Sequence, residues 1–394
     1  MGDPLLAGDI DLAVVLIVIL KAAVTFVFLL ISVLLMIWFE RKLVSDMQNR
    51  IGPDRAGPWG ILQTLADGVK LFFKEDLRPR EADIGVFKLA PYLSLIPAFL
   101  IFSIVPIGGN FAEGHNGTIS IFGHRTFLQL ADPPIGVLLA LAMSSVAVYG
   151  VMLAGWSSGS KYPLLGSVRA TAQMVSYEAA LGLSVAAVVL SAESLSTHTI
   201  VVQQADQLWN VLQLGFVPFV IFLIAATAEL NRPPFDLVEA EQELVGGFHT
   251  EYSSVRFALF FLAEFMNTIT MSAIIVTLFL GGPHGPDLFG PDWIWPFVWF
   301  FGKLFVLLFT FVWFRATLPR LRYDQLMDVG WKVLIPLALG WVLLMAGFDV
   351  ARDEDWNIWV TGAVGGGNLM AGYLLLQGAL AAARSSRTRP EVFD

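Results

Sequence analysis

Between Ala228 and Tyr252 the chain reads AELNRPPFDLVEAEQELVGGFHTEY, setting Glu229, Asp236, Glu239, Glu241, Glu243 and Glu251 against a single Arg232. Carboxylates exchange protons, and the spacing favours joint titration. Pro233-Pro234 stops a preceding helix, Asp236 three residues before Glu239 fits a capping box, and Gly246-Gly247 closes the short helix so opened. On that helix Glu239 and Glu243 share a face with Asp236 close by, while Glu241 points elsewhere. Exposed, such a pair repels by roughly 0.2–0.5 kcal/mol; buried, one carboxyl holds its proton to higher pH and the two titrate as a unit. A solvated acidic loop is the plain alternative. Clustered glutamates without histidine give no expectation of a metal.

Two more carboxylates fall inside apolar runs. Glu178 follows Arg169 by about nine residues, or ~13 Å of helix, and Glu264 lies about seven residues into its run. A carboxylate at that depth is costly and a candidate for function; the competing reading of Glu178 is a structural carboxyl paired with a hydroxyl. Lys21 and Lys303, nearer the opposite end of their runs, read equally as functional groups or as snorkelling cations.

The elements that position these groups must be membrane helices. The 394-residue chain is 56% apolar and 14% charged, with mean hydropathy +0.69, far from the composition of soluble domains. The expected fold is all-α, a polytopic membrane protein of about nine transmembrane helices in one integral membrane domain (1–394). Apolar runs place spans near 12–38, 89–107, 134–155, 170–190, 211–228, 257–280, 296–314, 333–348 and 357–380. The acidic stretch then occupies a loop at 229–256. The first residues, with Asp3, Asp9 and Asp11 and no basic region, read as the approach to a first span, not a signal peptide. Gly60 to Lys74 is too short to cross; Leu62, Leu65, Ala66, Val69, Phe72 and Phe73 share one face and Gln63, Asp67, Lys70 and Lys74 another, as expected of an amphipathic interfacial helix at 60–74. Gly362 and Gly366 stand at a close-packing spacing in the last span.

With the N-terminus outside, twenty Lys and Arg residues fall on the inner side and only Arg125 and Arg352 on the outer. This asymmetry orients the chain with the acidic loop on the cytoplasmic side. Zero cysteines exclude thiolate-held clusters, covalent c-type haem and disulfides within the chain. No phosphate-binding motif is present, and the net charge of -9, carried mainly by loops, says nothing in favour of nucleic acid.

Four segments carry a specific resemblance: FERK at Phe39 to Lys42 running into MQNRIGP and GILQTLADGVKLFFKED; GWSSGSKYPLLGSVRATAQMVSYE at Gly155 to Glu178; the acidic stretch continuing to FALFFLAE; and PRLRYDQLMDVGWK at Pro319 to Lys332. In them the chain resembles the H-subunit family of bacterial NADH-quinone oxidoreductase, equivalent to the mitochondrially encoded subunit 1 of respiratory complex I. The resemblance implies a membrane-arm subunit forming the quinone entrance and the first part of an acidic relay that couples quinone reduction to proton translocation. By matching position, Glu40, Arg41, Arg50, Lys70, Phe260 and Phe261 border the quinone passage. Glu178, Glu229, Asp236, Glu239, Glu241, Glu243, Glu251 and Glu264 belong to the relay, with Arg232 as counter-charge. It further implies quinone (ubiquinone or menaquinone) as substrate, FMN and Fe-S clusters held only by partner subunits, no NADH-oxidising site in this chain, and the other subunits of the peripheral and membrane arms, together with lipid, as partners. A related subunit of a membrane-bound hydrogenase or other-donor dehydrogenase shares the acidic loop. An autonomous proton-coupled transporter is the alternative of another class, disfavoured by the absence of internal repeats. The resemblance ends near residue 350.

Overall fold

The computed structural model describes residues 3–6, 11–111, 116–237, 244–286 and 294–354, with isolated positions beyond. Among them, seven helices are long and apolar enough to cross a membrane, joined by one shorter apolar helix. In chain order the helices are α1 (Leu12–Met47), α2 (Gln63–Phe73), α3 (Ile84–Phe102), α4 (Gly136–Ser157), α5 (Lys161–Ala192), α6 (Thr197–Asp206), α7 (Asn210–Gln213), α8 (Phe216–Glu229), α9 (Ser254–Phe279), α10 (Trp295–Thr317), α11 (Tyr323–Val329) and α12 (Ile335–Asp353). A π-helical turn at Gly330–Leu334 joins α11 to α12.

α9 is the most enclosed of the spans. It packs against α1, α3, α8 and α10, while α5 joins α4, α8 and α12. Beyond Asn267 its sequence permits this because its polar residues are short hydroxyls: Thr268 donates to Glu264 O at 3.0 Å, Ser272 to Thr268 O at 2.8 Å and Thr277 to Ala273 O at 2.9 Å, while Thr270 donates to Ala98 O of α3 at 3.3 Å. Such side chains satisfy themselves locally and let neighbouring backbones approach. One large apolar cluster fills the space between α1, α5, α8, α9 and α10, with Tyr177, Phe222, Phe279 and Phe300 fully buried in it.

The helices depart from the intervals expected of the sequence in several places. α1 continues past residue 38 to Met47, because no Gly or Pro interrupts it; it ends at Asn49, which takes a left-handed conformation (φ 53°). The interval 211–228 is not one helix: Gly215, at φ 79°, separates α7 from the 14-residue α8. The interval 333–348 extends back through the π turn to Tyr323. A short antiparallel hairpin, β1 (Thr118–Ile121) and β2 (His124–Phe127), occupies the loop between α3 and α4; its turn residues Phe122 and Gly123 both have positive φ, the geometry of a tight hairpin. Of the expected span at 357–380 only isolated positions are described, Gly366 among them, while Gly362 and most of the interval lie outside the described residues.

α2 occupies the centre of the interval 60–74. Leu62, Leu65, Val69, Phe72 and Phe73 stand uncovered, and its Asp67 accepts a 2.7 Å hydrogen bond from Arg41 of α1. Trp38 donates to Trp59 O at 2.9 Å just before α2, so two contacts tie this helix to α1.

Neither lysine of the apolar runs reaches out to solvent. Lys21 Nζ pairs with Asp3 at 2.9 Å and also donates to Thr126 and Gln129 O. Lys303 Nζ donates to the carbonyls of Leu280, Gly282 and His284 at 2.6, 3.0 and 2.6 Å and lies 4.2 Å from the Trp209 ring centre. Both ammonium groups fasten one end of the helical bundle to its loops.

Candidate functional site

The site begins with a charged residue on an apolar helix. Glu40 of α1 is only 6% exposed, and two arginines meet it. Arg232 Nη1 lies 3.3 Å from each of its carboxylate oxygens, and Arg315 of α10 contacts Oε1. Arg232 Nη2 lies 3.2 Å from Glu264 Oε1, and the guanidinium stands 4.5 Å from the Phe265 ring centre. One planar cation thus joins carboxylates on α1 and α9, as a guanidinium can and an ammonium cannot.

Arg232 is held there by the turn that follows α8. Gln173 of α5, fully buried, directs its amide nitrogen at Ala228 O (2.7 Å), Asn231 Oδ1 (3.1 Å) and Phe235 O (2.8 Å). Asn231 adopts φ 52°, which turns the chain directly after the helix. A single amide therefore fixes the segment carrying both Glu229 and Arg232.

Two cavities open around these groups. The outer one, about 500 Å³, is walled by Glu40, Arg41, Arg50, Arg232, Phe261, Glu264, Phe265 and Arg315 among others; this size suits a small organic molecule. The inner one, about 70 Å³, is walled by Ser94, Glu229, Asn231, Phe248, His249, Phe260, Phe261, Glu264 and Asn267 among others. Phe261 and Glu264, three apart on one face of α9, belong to both walls.

Beyond the inner cavity the carboxylates continue. Ser144 donates to Glu229 Oε1 and its neighbour Ser145 donates to Glu178 Oε1. Ser144 and Ser145 are consecutive on α4, about 100° apart around the helix, so α4 presents one hydroxyl to each carboxylate. Glu229 Oε2 is buried and has no hydrogen-bond partner among the described residues.

His249 lies between the Phe248 and Phe257 rings in edge-on contacts. The backbone of its turn passes so near Gly166 of α5 that a Cβ there would meet Gly247 Cα at 2.8 Å. Burial brings the His249 imidazole down to about 4, so it is neutral at ordinary pH. Tyr252 stacks on Phe87, with ring centres 4.0 Å apart, and donates to Phe87 O at 3.1 Å; burial pushes its hydroxyl up to about 12. For Asp67, burial acts upward, but the hydrogen bond and charge of Arg41, with Lys70 and Gln63, outweigh it and hold the carboxyl below its usual range.

The structure brings Glu40, Arg41, Arg50, Arg232, Phe261 and Glu264 to the outer cavity, and Glu229 and Phe260 to the inner one. Lys70 is exposed on α2, 3.7 Å from Asp67, and walls neither. Asp236 and Glu251 are half-buried and also wall neither. Glu239, Glu241 and Glu243 lie outside the described residues, as does the short helix expected to pair them. Gln173, Ser144, Ser145, His249, Phe265 and Arg315 are not singled out by the sequence. Arg315 reads there only as an orientation charge, and the serines as ordinary polar residues in an apolar run.

Comparison with known proteins finds relatives of this chain. A sequence profile described as NADH dehydrogenase matches residues 20–346. The chain is 54% identical over 353 residues to a protein of Frankia alni named as the H subunit of NADH-quinone oxidoreductase, covering 88% of this chain and 76% of that protein. The protein of the same name from Streptomyces avermitilis is 51% identical over 360 residues, 90% of this chain and 78% of the other. A third, from Frankia casuarinae, is 54% identical over 352 residues, 88% and 76% respectively.

Proposed function

The chain belongs to the NADH dehydrogenase family, an integral membrane member by its seven apolar helices, and from that premise we propose that it is the H-type membrane subunit of a proton-translocating NADH:quinone oxidoreductase. In this reading the outer cavity receives the quinone ring and the carboxylates behind it carry the charge response to its reduction. The observation that supports it best is the shared wall: Glu264 stands on both cavities and pairs with Arg232, which pairs with Glu40.

The chemistry fits these residues. Quinone carbonyl oxygens accept hydrogen bonds, and reduction increases their negative charge and proton demand. Arg41, Arg50, Arg232 and Arg315 supply guanidinium donors around the outer cavity. Arg232 Nε is buried with no hydrogen-bond partner among the described residues, leaving one donor uncommitted beside Phe265. Added negative charge in the outer cavity competes with Glu40 and Glu264 for Arg232. A carboxylate that loses its counter-charge in an apolar setting gains protons. Glu264 passes that change to the inner cavity, where Glu229 stands on the same wall, and Glu178 of α5 follows beside Ser145 of α4.

The remaining parts of the machine belong to partners in this reading. Without cysteine this chain holds no thiolate cluster, and FMN, Fe-S clusters and NADH oxidation are assigned to other subunits of the peripheral and membrane arms. Quinone enters from lipid past α2. The acidic loop lies on the cytoplasmic side of a bacterial inner membrane, with the N-terminus outside. The whole complex with Glu264→Gln, reconstituted in liposomes, tests the reading. NADH:quinone turnover and proton uptake should both fall by about tenfold or more while NADH oxidation by a water-soluble artificial acceptor is retained. Undiminished proton translocation would remove Glu264 from the path.

A further inference from the structure

We propose that Ser145 is a positioning residue for the proton step at Glu178: its hydroxyl is a two-position rotor that keeps the carboxyl hydrogen-bonded in both protonation states. The proposal rests on the relay reading above and deepens it.

Two acceptors lie within reach of this hydroxyl. Ser145 Oγ contacts Glu178 Oε1, and it lies 3.2 Å from the carbonyl oxygen of Leu141, one turn earlier on α4. A hydroxyl carries one proton and two lone pairs, and it rotates about its bond. When Glu178 is ionised, the Ser145 proton points at Oε1. When Glu178 is protonated, the carboxyl O–H donates to Ser145 Oγ, and the serine proton turns to Leu141 O. Every donor keeps an acceptor in both states, no proton is lost or gained by the serine, and no buried polar group is stranded. Ser145 and Glu178 are both half-buried, and a polar group left without a partner there would oppose each protonation change.

The neighbouring position differs. Ser144 Oγ meets Glu229 Oε1 and no second acceptor among the described residues. Glu229 Oε2 has no partner there either. The same pair of residue types therefore gives Glu178 a partner suited to two states and Glu229 a partner suited to one.

The titratable groups on the elements around α5 leave Glu178 as the group this hydroxyl serves. On α8 the facing group is Glu229, on which the Glu178 charge acts. On α11 and the π turn, Lys332 is paired with Asp328 at 2.6 Å. His249 lies on the inner-cavity wall, Tyr149 of α4 is largely exposed, and Asp349 lies further along α12. On α5 itself Tyr177 donates to Leu326 O at 2.9 Å.

The test uses the intact complex in liposomes with Ser145→Ala, Ser145→Thr and Glu178→Gln, measuring NADH:quinone turnover against pH, protons translocated per NADH, and artificial-acceptor NADH oxidation as a check on assembly. Without the rotor's donor the ionised carboxyl is disfavoured. Both states of Glu178 lose a bond in Ser145→Ala, the ionised one the stronger, so turnover should fall severalfold near neutral pH and the acid side of the profile should move upward by roughly 0.5–1 pH unit. Ser145→Thr, which keeps the hydroxyl and its reach to the i−4 carbonyl, should restore the profile. A wild-type profile and stoichiometry in Ser145→Ala overturns the rotor while Glu178→Gln remains impaired. Equal damage in Ala and Thr variants overturns it in favour of packing. Normal coupling in Glu178→Gln overturns the relay reading itself.

Discussion

Arg232 and Glu40, 192 positions apart in the chain, meet as a 3.3 Å pair in which one guanidinium nitrogen faces both carboxylate oxygens. Both are more than nine-tenths buried. Breaking such a pair from one side leaves a charge stranded, at roughly 3–5 kcal/mol. Arg232→Ala should therefore lower the melting temperature of the purified complex and abolish quinone reduction. Arg232→Lys should assemble but retain about a tenth or less of the quinone activity, since an ammonium does not span Glu40 and Glu264 together. Near-normal quinone kinetics in the Lys variant would show that the fork is dispensable.

Glu229→Gln and Glu178→Gln should each leave assembly intact and reduce NADH-driven proton translocation in membrane vesicles by about tenfold. The double variant should be little worse than either single one, because residues acting in series are not additive. Independent, multiplying losses would argue against one path through Ser144 and Ser145.

Phe261 and Phe260 should separate in their kinetics although they are neighbours. Phe261 borders the outer cavity as well as the inner one, whereas Phe260 borders only the inner one and stacks edge-on against Phe248 and Tyr252. Phe261→Trp should raise KM for a short-tail quinone severalfold with a smaller effect on kcat. Phe260→Leu should act first on thermal stability, by about 1–2 kcal/mol of lost packing. The reverse pattern in steady-state kinetics and melting curves would misplace the substrate.

His249 gives a pH signature. Its imidazole is brought down to about 4 in the fold from an ordinary 6.5. The unfolded chain then binds more protons between these values, so His249's contribution is complete above pH 6.5 and is lost as pH falls towards 4. His249→Phe should flatten that acid-side loss of thermal stability in detergent-solubilised complex. An unchanged slope of melting temperature against pH between 6.5 and 4 would show that this histidine is protonated without penalty.

Asp67 serves two cations on α1 and α2, Arg41 at 2.7 Å and Lys70 at 3.7 Å. Partly exposed pairs of this kind contribute little to stability, about 0–1 kcal/mol. Asp67→Asn should therefore leave the melting temperature nearly unchanged while raising KM for quinone by releasing Arg41, which walls the outer cavity. The difference in KM between variant and wild type should narrow as ionic strength rises and screens the pair; a purely thermal effect would place Asp67 in packing alone.

Much of this arrangement can be read in the sequence. The apolar runs announce the spans because a helix in lipid must be long and continuous. The acidic stretch stands out because charge is rare beside such runs, and Glu178 and Glu264 are visible for the same reason. Three-dimensional partnership is less legible. Arg315 and Glu40 lie 275 residues apart and nothing local couples them. Ser144 and Ser145 are inconspicuous until α4 and α5 pack, and Gln173 gains its role only from a turn that Asn231 sets by adopting a left-handed conformation. The break at Gly215 is a local signal that hydropathy averaging conceals, since the residues on both sides are apolar.

The length of α1 has a consequence for the site's setting. Thirty-six residues at 1.5 Å each make about 54 Å of helix. Even at a 40° tilt this covers about 41 Å of bilayer normal, against a hydrocarbon core of ~30 Å. Leu12 to Glu40 takes up about 42 Å of the helix, so the carboxylate stands at or beyond the edge of the oily layer. The helix is therefore a measuring rod: its own backbone sets the height of the charge cluster around Glu40. A thinner or thicker bilayer moves the lipid surface along this rod but leaves Glu40, Arg232 and Arg315 in register with one another, so membrane composition should tune access to the site without altering its geometry.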